Sequence, residues 1–169
     1  MAKKKMGASP LDTAFDYLTS KPRTIREVEL HLDKCDFGEY EIYAAIERLK
    51  ELNYVNDEKY AADFIESRLN TKPVSRRKLF EQLRGHLIDD YIITEALKVV
   101  TRDVELENAR QVAEKFARQF SHLEEKERET RIIKRLISRG YDYNTVKEIM
   151  GEIEFSGNID FCEDEFDDE

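Results

Sequence analysis

The side chains able to do chemistry fall into two groups: scattered ones that make no site, and clustered ones that are nearly all cations. His31, His86 and His122 are isolated, with no nucleophile–base signature around them and no glycine-rich phosphate loop anywhere in the chain. Cys35 and Cys162 are far apart in sequence and read as reduced thiols without a metal-binding pattern. Asp89-Asp90 has the form of a metal pair, but its place at the opening of a helix assigns it to capping and to the helix dipole. The residues therefore predict no enzyme, no metal and no cofactor. Arg68, Lys72, Arg76, Arg77, Lys78 and Arg84, by contrast, are met by a single acid, Glu81. A second cluster holds Arg128, Arg131, Lys134, Arg135 and Arg139. Cations at this density neutralise phosphates, which is recognition of a backbone and carries no base-sequence information. The plain alternative for each run is a solvated helix face.

Net charge does not contradict a polyanion partner. The whole chain of 169 residues carries −9, yet residues 151–169 hold nine carboxylates and no Lys or Arg, which leaves 28 basic and 28 acidic groups on residues 1–150. The body is neutral, and the excess negative charge sits on one terminal segment. That segment alternates acid with Ile153, Phe155, Ile159, Phe161 and Phe166. It reads as a solvated tail or as one that docks on the basic part of the body.

The elements that must position the cations recur three times. Leu32, Leu83 and Leu136 lie 51 and 53 residues apart. Each has an aliphatic residue four before it (Val28, Leu79, Ile132), one ten after (Ile42, Ile93, Val146) and one fourteen after (Ile46, Leu97, Met150). Steps of four are helical, and the gap of ten leaves room for a turn between two helices. The reading is an all-α chain of three tandem three-helix repeats without a shared central core. Residues 1–10 form a basic arm, 11–56, 57–102 and 103–150 the repeats, and 151–169 the acidic tail. Thr24 with Glu27 predicts a capping box, Asn56 or Asp57 and Ser75 predict helix starts, and Gly140 sits where a C-terminal glycine belongs. The two cation clusters then fall at equivalent places in adjacent repeats, which favours one continuous stripe able to follow a nucleic-acid backbone.

Two competing uses of such units are disfavoured. A helix-turn-helix reader would place its third helix in the major groove, but Glu39, Glu41, Glu47 and Glu51 outnumber Arg48 and Lys50 there, and Asp89, Asp90 and Glu95 outnumber Lys98. Base stacking by Tyr40, Tyr43, Tyr54, Tyr60, Phe64, Phe116, Phe120, Tyr141 and Tyr143 is disfavoured because most of them fall on apolar stripes, where they are expected in the core. No run approaches the length of a membrane span and no signal peptide is evident, so the chain is expected in the cytoplasm.

The junction Leu49-x4-Tyr54-Val55-Asn56-Asp57-x2-Tyr60-Ala61-x2-Phe64, with Leu136-x2-Arg139-Gly140-Tyr141-x4-Val146-x3-Met150, resembles the RecX regulators of the RecA recombinase. The resemblance extends from residue 11 to about 152. It departs where a Lys/Arg-Gly pair should follow the anchor leucine: Cys35-Asp36 and His86-Leu87 stand there in the first two units. The resemblance implies three three-helix repeats in an elongated, curved body. It implies a monomer that binds the RecA filament and single-stranded DNA, with duplex DNA as a further partner, and that restrains filament growth, strand exchange and coprotease activity. The residues themselves also leave open a stand-alone DNA-binding repeat protein and an interaction scaffold without DNA contact. The stripe proposed to face nucleic acid is Arg68, Lys72, Arg76, Arg77, Lys78, Arg84, Arg131, Lys134, Arg135 and Arg139.

Overall fold

The computed structural model describes residues 9–152. Lys3, Lys4 and Lys5 of the arm and residues 153–169 of the acidic segment lie outside that range. Among the described residues the chain is helical without strands. The helices are α1 (Pro10–Leu18), α2 (Ile25–Asp33), α3 (Glu39–Glu51), α4 (Asp57–Thr71), α5 (Arg76–Gly85), α6 (Asp90–Ala96), α7 (Arg102–Gln119), α8 (Glu125–Ser138) and α9 (Tyr143–Glu152), with a 3-10 turn at Leu97–Val99.

Side-chain caps set most of the starts. Ser9 and Asp12 form a capping box ahead of Pro10, so α1 begins one residue before Leu11 and Pro10 belongs to the helix, not to the arm. Thr24 and Glu27 form the expected box on α2, Asn56 caps α4 through Lys59 N, and Ser75 caps α5 through Lys78 N. Asp89 accepts from Tyr91 N, which is the capping role expected for the Asp89-Asp90 pair.

Three separate apolar clusters hold these helices. Leu32, Leu83 and Leu136 each lie fully buried in a different one. Val28, Leu79 and Ile132 are buried beside them, one turn earlier on the same helix. Ile93 and Val146 return from the third helix as expected, whereas Ile42 is only partly buried. In the middle unit α6 is short, and Leu97 reaches its core from the 3-10 turn. The aromatic expectation needs correction: Phe116, Phe120 and Tyr141 are in the core and Tyr60 and Phe64 pack against one, but Tyr40, Tyr43, Tyr54 and Tyr143 are exposed. Tyr40, 84% exposed, opens α3 two residues before Ile42 and so lies off the apolar phase.

The turn after each second helix is the same in all three units. The residue four past the anchor has a left-handed backbone: φ is 61° at Asp36, 62° at Leu87 and 87° at Gly140. In each turn the residue three past the anchor donates to the anchor carbonyl, Cys35 at 3.0 Å, His86 at 2.9 Å and Arg139 at 3.1 Å. The residue five past it (Phe37, Ile88, Tyr141) is buried. The missing glycines therefore do not change the turn; an apolar anchor on its far side enforces it.

Adjacent units are joined at the ends of these second helices. Thr24 Oγ1 donates to His86 O at 2.7 Å, and Ile25 N donates to Asp57 Oδ1 at 2.9 Å. At the next junction Ser75 N donates to Arg139 O at 3.0 Å, and Arg76 N donates to Glu105 Oε1 at 2.9 Å. The C-terminal end of α8 thus meets the N-terminal end of α5, and the C-terminal end of α5 meets the N-terminal end of α2. Carbonyls left over at one helix end satisfy amides and hydroxyls at the next, with dipoles aligned favourably. The first junction adds a polar side-chain contact, Glu27 Oε1 to His86 Nδ1 at 2.9 Å.

Candidate nucleic-acid interface

Arg131 and Arg135 on α8 and Arg139, the residue that caps its C-terminus, repeat every four residues and so share one face. Phe116 on α7 and Phe120 at its C-cap do the same, with ring centroids 5.6 Å apart and planes at 22°. The two rows meet. The Arg131 guanidinium lies 5.8 Å from the Phe120 centroid, and those of Arg135 and Arg139 each lie 5.5 Å from that of Phe116. Each such contact contributes about 0.5–1 kcal/mol at a partly exposed site. Its larger effect here is geometric: the rings are buried and the guanidiniums lie over them, which restricts where the three charges sit. Arg139 is held further by donating from Nη1 to Pro73 O at 2.8 Å. Burial, with Arg135 nearby, lowers its pKa from the usual arginine value.

This ladder borders two depressions. One, about 460 Å³, is lined by Phe120, Arg131, Lys134, Arg135 and Ser138. The other, about 640 Å³, runs between the segment Asn70–Pro73 and α7, and its charged lining is Lys72, Lys115, Arg118 and Arg139 against the single acid Glu114. Two cations there were not foreseen. Lys115 and Arg118 are three apart on the outer face of α7, a helix whose visible signal was its apolar stripe. Arg131 is partly neutralised by Glu127 at 2.7 Å.

The ten residues expected to form one stripe are divided by the fold. Lys72, Arg131, Lys134, Arg135 and Arg139 come together along the two depressions. Arg68 lies over the Phe64 ring at 5.1 Å, one turn before Lys72 on α4. Arg76 and Arg77 line a separate hollow of about 440 Å³ with Phe80, Thr94, Leu97, Glu105, Gly140 and Asp142, where two carboxylates oppose them. Arg77 and Lys78 also share Glu81, each at 3.4 Å. Arg84 faces Asp90 at 3.5 Å.

Two of the three histidines have structural roles. His86 sits in the first junction with Glu27 and Tyr60. His31 stacks on Tyr17 at 3.9 Å, and burial, reinforced by Arg23 and Lys34, lowers its pKa. Among the described residues no group of three or more His, Cys, Asp or Glu is placed to hold a metal ion, and no helix is long and apolar enough to cross a membrane.

Two stretches of the chain match family descriptions built for this architecture: residues 56–97 match the second three-helix domain of RecX, and residues 103–150 match the third. The chain belongs to the RecX family. Over 147 residues it is 30% identical to the regulatory protein RecX of Bacillus subtilis (strain 168), covering 87% of this chain and 56% of that relative. It thus spans little more than half the length of that protein. The regulatory protein RecX of Prosthecochloris aestuarii is nearer in extent, 28% identical over 145 residues, which cover 85% of this chain and 92% of the relative. The crystal structure of RecX from Lactobacillus salivarius superposes with a TM-score of 0.73 at 29% identity, covering 85% of this chain and 94% of that one. RecX proteins are named as regulators, and the present chain shares their all-α repeat fold.

Proposed function

We propose that this chain restrains a RecA filament by lying along it with the α7–α8 cation face against the bound single strand, limiting filament growth, strand exchange and coprotease activity. The reading has it acting in the cytoplasm as a monomer. It is carried by the Arg131–Arg135–Arg139 ladder over Phe120 and Phe116, which points pre-held guanidiniums along a line beside the Lys72, Lys115 and Arg118 groove. Guanidiniums fixed on aromatic faces suit phosphates, because their planar donors are oriented without further loss of rotamer freedom. Family membership supports the regulatory part of the reading.

The test is RecA's DNA-dependent ATP hydrolysis with substoichiometric protein, together with filament length by electron microscopy. Slower hydrolysis and shorter filaments are expected, because blocking growth at few points affects many subunits. Unchanged filaments at molar excess reject the proposal. The same protein on single-stranded DNA without RecA tests the stand-alone DNA-binding alternative, and full effect on RecA after charge reversal at Arg131 and Arg135 favours contact through protein alone.

A further inference from the structure

The chain carries its own polyanion, and α9 ends beside the cation groove. α9 runs alongside α7 in the same direction: Arg102 near the start of α7 meets Thr145 at 2.6 Å and Glu148 at 2.8 Å, and Arg110, two turns on, holds Glu152 through Nε and Nη2 at 2.9 and 2.7 Å. Past Arg110 the next cations on α7 are Lys115 and Arg118, both lining the groove. Residues 153–169, which follow Glu152, contain eight carboxylates, no Lys or Arg, and Phe155, Phe161 and Phe166.

We propose that residues 153–169 dock in the cation groove of the same molecule, with carboxylates on Lys72, Lys115, Arg118 and the Arg131–Arg139 ladder, and so compete with any other polyanion for that surface. Reach does not limit the contact. Seventeen residues span up to about 55 Å extended at roughly 3.3 Å per residue, while the run of α7 from residue 110 to 118 is about 12 Å at roughly 1.5 Å per residue. A tether of this length holds the acidic segment near the groove at an effective concentration on the order of millimolar. Charge is complementary: the segment has no cation of its own, whereas the groove and ladder present acids only at Glu114 and Glu127.

The competitor role rests on the groove being the polyanion site proposed above; the docking itself does not. Cys162 lies in the acidic segment and Cys35 is buried, so a nitroxide attached at Cys162 of the full chain, in a Cys35→Ala background, reads the contact directly by NMR. Expected at low salt is broadening of the amides of Lys115, Arg118 and residues 134–139. It should be lost in a Lys115→Glu/Arg118→Glu variant whose thermal unfolding is unchanged. Broadening confined to the last turn of α9, or insensitive to that variant, overturns the docking. In parallel, neutralising the full-length tail (Glu163→Gln, Asp164→Asn, Glu165→Gln, Asp167→Asn, Asp168→Asn, Glu169→Gln) should raise affinity for a labelled single-stranded oligonucleotide at least about threefold near 20 mM salt. The gain should shrink near 200 mM as screening shortens. Docking seen with no oligonucleotide binding by either form upholds this inference and removes the nucleic-acid reading; oligonucleotide binding without docking does the reverse.

Discussion

Leu87 and Gly140 occupy the same left-handed turn position of successive units, with φ of 62° and 87°. A leucine there costs about 1–2 kcal/mol of backbone strain that a glycine avoids, less the extra freedom glycine gains when unfolded, and Leu87 is 47% exposed, so only part of a leucine's burial would be lost. Leu87→Gly should therefore stabilise the protein by about 0.5–1 kcal/mol. The reciprocal change is severe: a Cβ at Gly140 would lie 2.6 Å from Ser75 Oγ and 3.0 Å from Lys78 Cβ, across the second junction. Gly140→Ala should cost at least about 2 kcal/mol by strain and by prying the units apart. Chemical denaturation measures both, and equal signs for the two variants would refute the shared-turn account.

The junctions make a second prediction. Thr24 is fully buried; its hydroxyl accepts from Glu27 N at 3.2 Å while donating to His86 O. Thr24→Ala removes a cap and leaves a carbonyl of the next unit without its donor, so a loss of about 1–2 kcal/mol is expected. Thr24→Ser retains both bonds and should recover most of it. Equal losses for Ala and Ser would assign the effect to the methyl group instead of the junction.

The repeat architecture was legible because Leu32, Leu83 and Leu136 are core residues, and core spacing survives in sequence as periodicity. The turn geometry at Asp36 and Leu87 was not, since its usual signal is a glycine; here buried Phe37 and Ile88, one residue on, hold the backbone through packing. At the candidate site, the α8 cations were legible and their aromatic supports were identified as core, but nothing in sequence said that the two rows meet. Lys115 and Arg118 carry no comparable signal, because they stand singly on a helix whose pattern is dominated by its apolar face. Arg76 and Arg77, expected in one stripe with the α8 cations, line a different hollow, because the N-terminal junction of α5 puts them with Glu105 and Asp142.

Leu83 tests the register most directly. It is fully buried in the middle core, so Leu83→Ala should cost about 2–5 kcal/mol from lost transfer energy and the remaining cavity. A change below about half a kilocalorie, where surface substitutions fall, would be incompatible with an anchor role.

Asp142 sets a pH dependence. Its Oδ1 accepts from Thr145 N at 2.7 Å at the start of α9, and that hydrogen bond, more than any other influence, lowers its pKa. A carboxylate with a depressed folded pKa contributes stability that is present above the unfolded value and lost as pH falls through the folded one. Asp142→Ala should cost about 1 kcal/mol at neutral pH, and the difference from the parent should begin to narrow below about pH 4, where the carboxylate of the unfolded chain takes up a proton, and close further as pH falls toward the lower folded pKa. Melting temperatures of both proteins between neutral pH and about pH 3 check this; a constant gap would mean that the charge is immaterial.

The division of the cations gives the sharpest functional contrast. If about four single-stranded phosphates are neutralised in the groove, log affinity should fall with log salt at a slope near −3, at roughly 0.7 counterion per phosphate. Lys115→Glu with Arg135→Glu should flatten that slope and weaken binding alike on any base sequence, since phosphate contacts carry no sequence information. Arg76→Glu with Arg77→Glu changes formal charge by the same amount but acts in a hollow that already contains Glu105 and Asp142, so it should weaken binding less and leave the slope nearly intact. Titrations of a labelled oligonucleotide at several salt concentrations separate the two. If both pairs reduce affinity equally, net charge alone governs binding, and the pre-held arginine ladder of α8 has no special part in it.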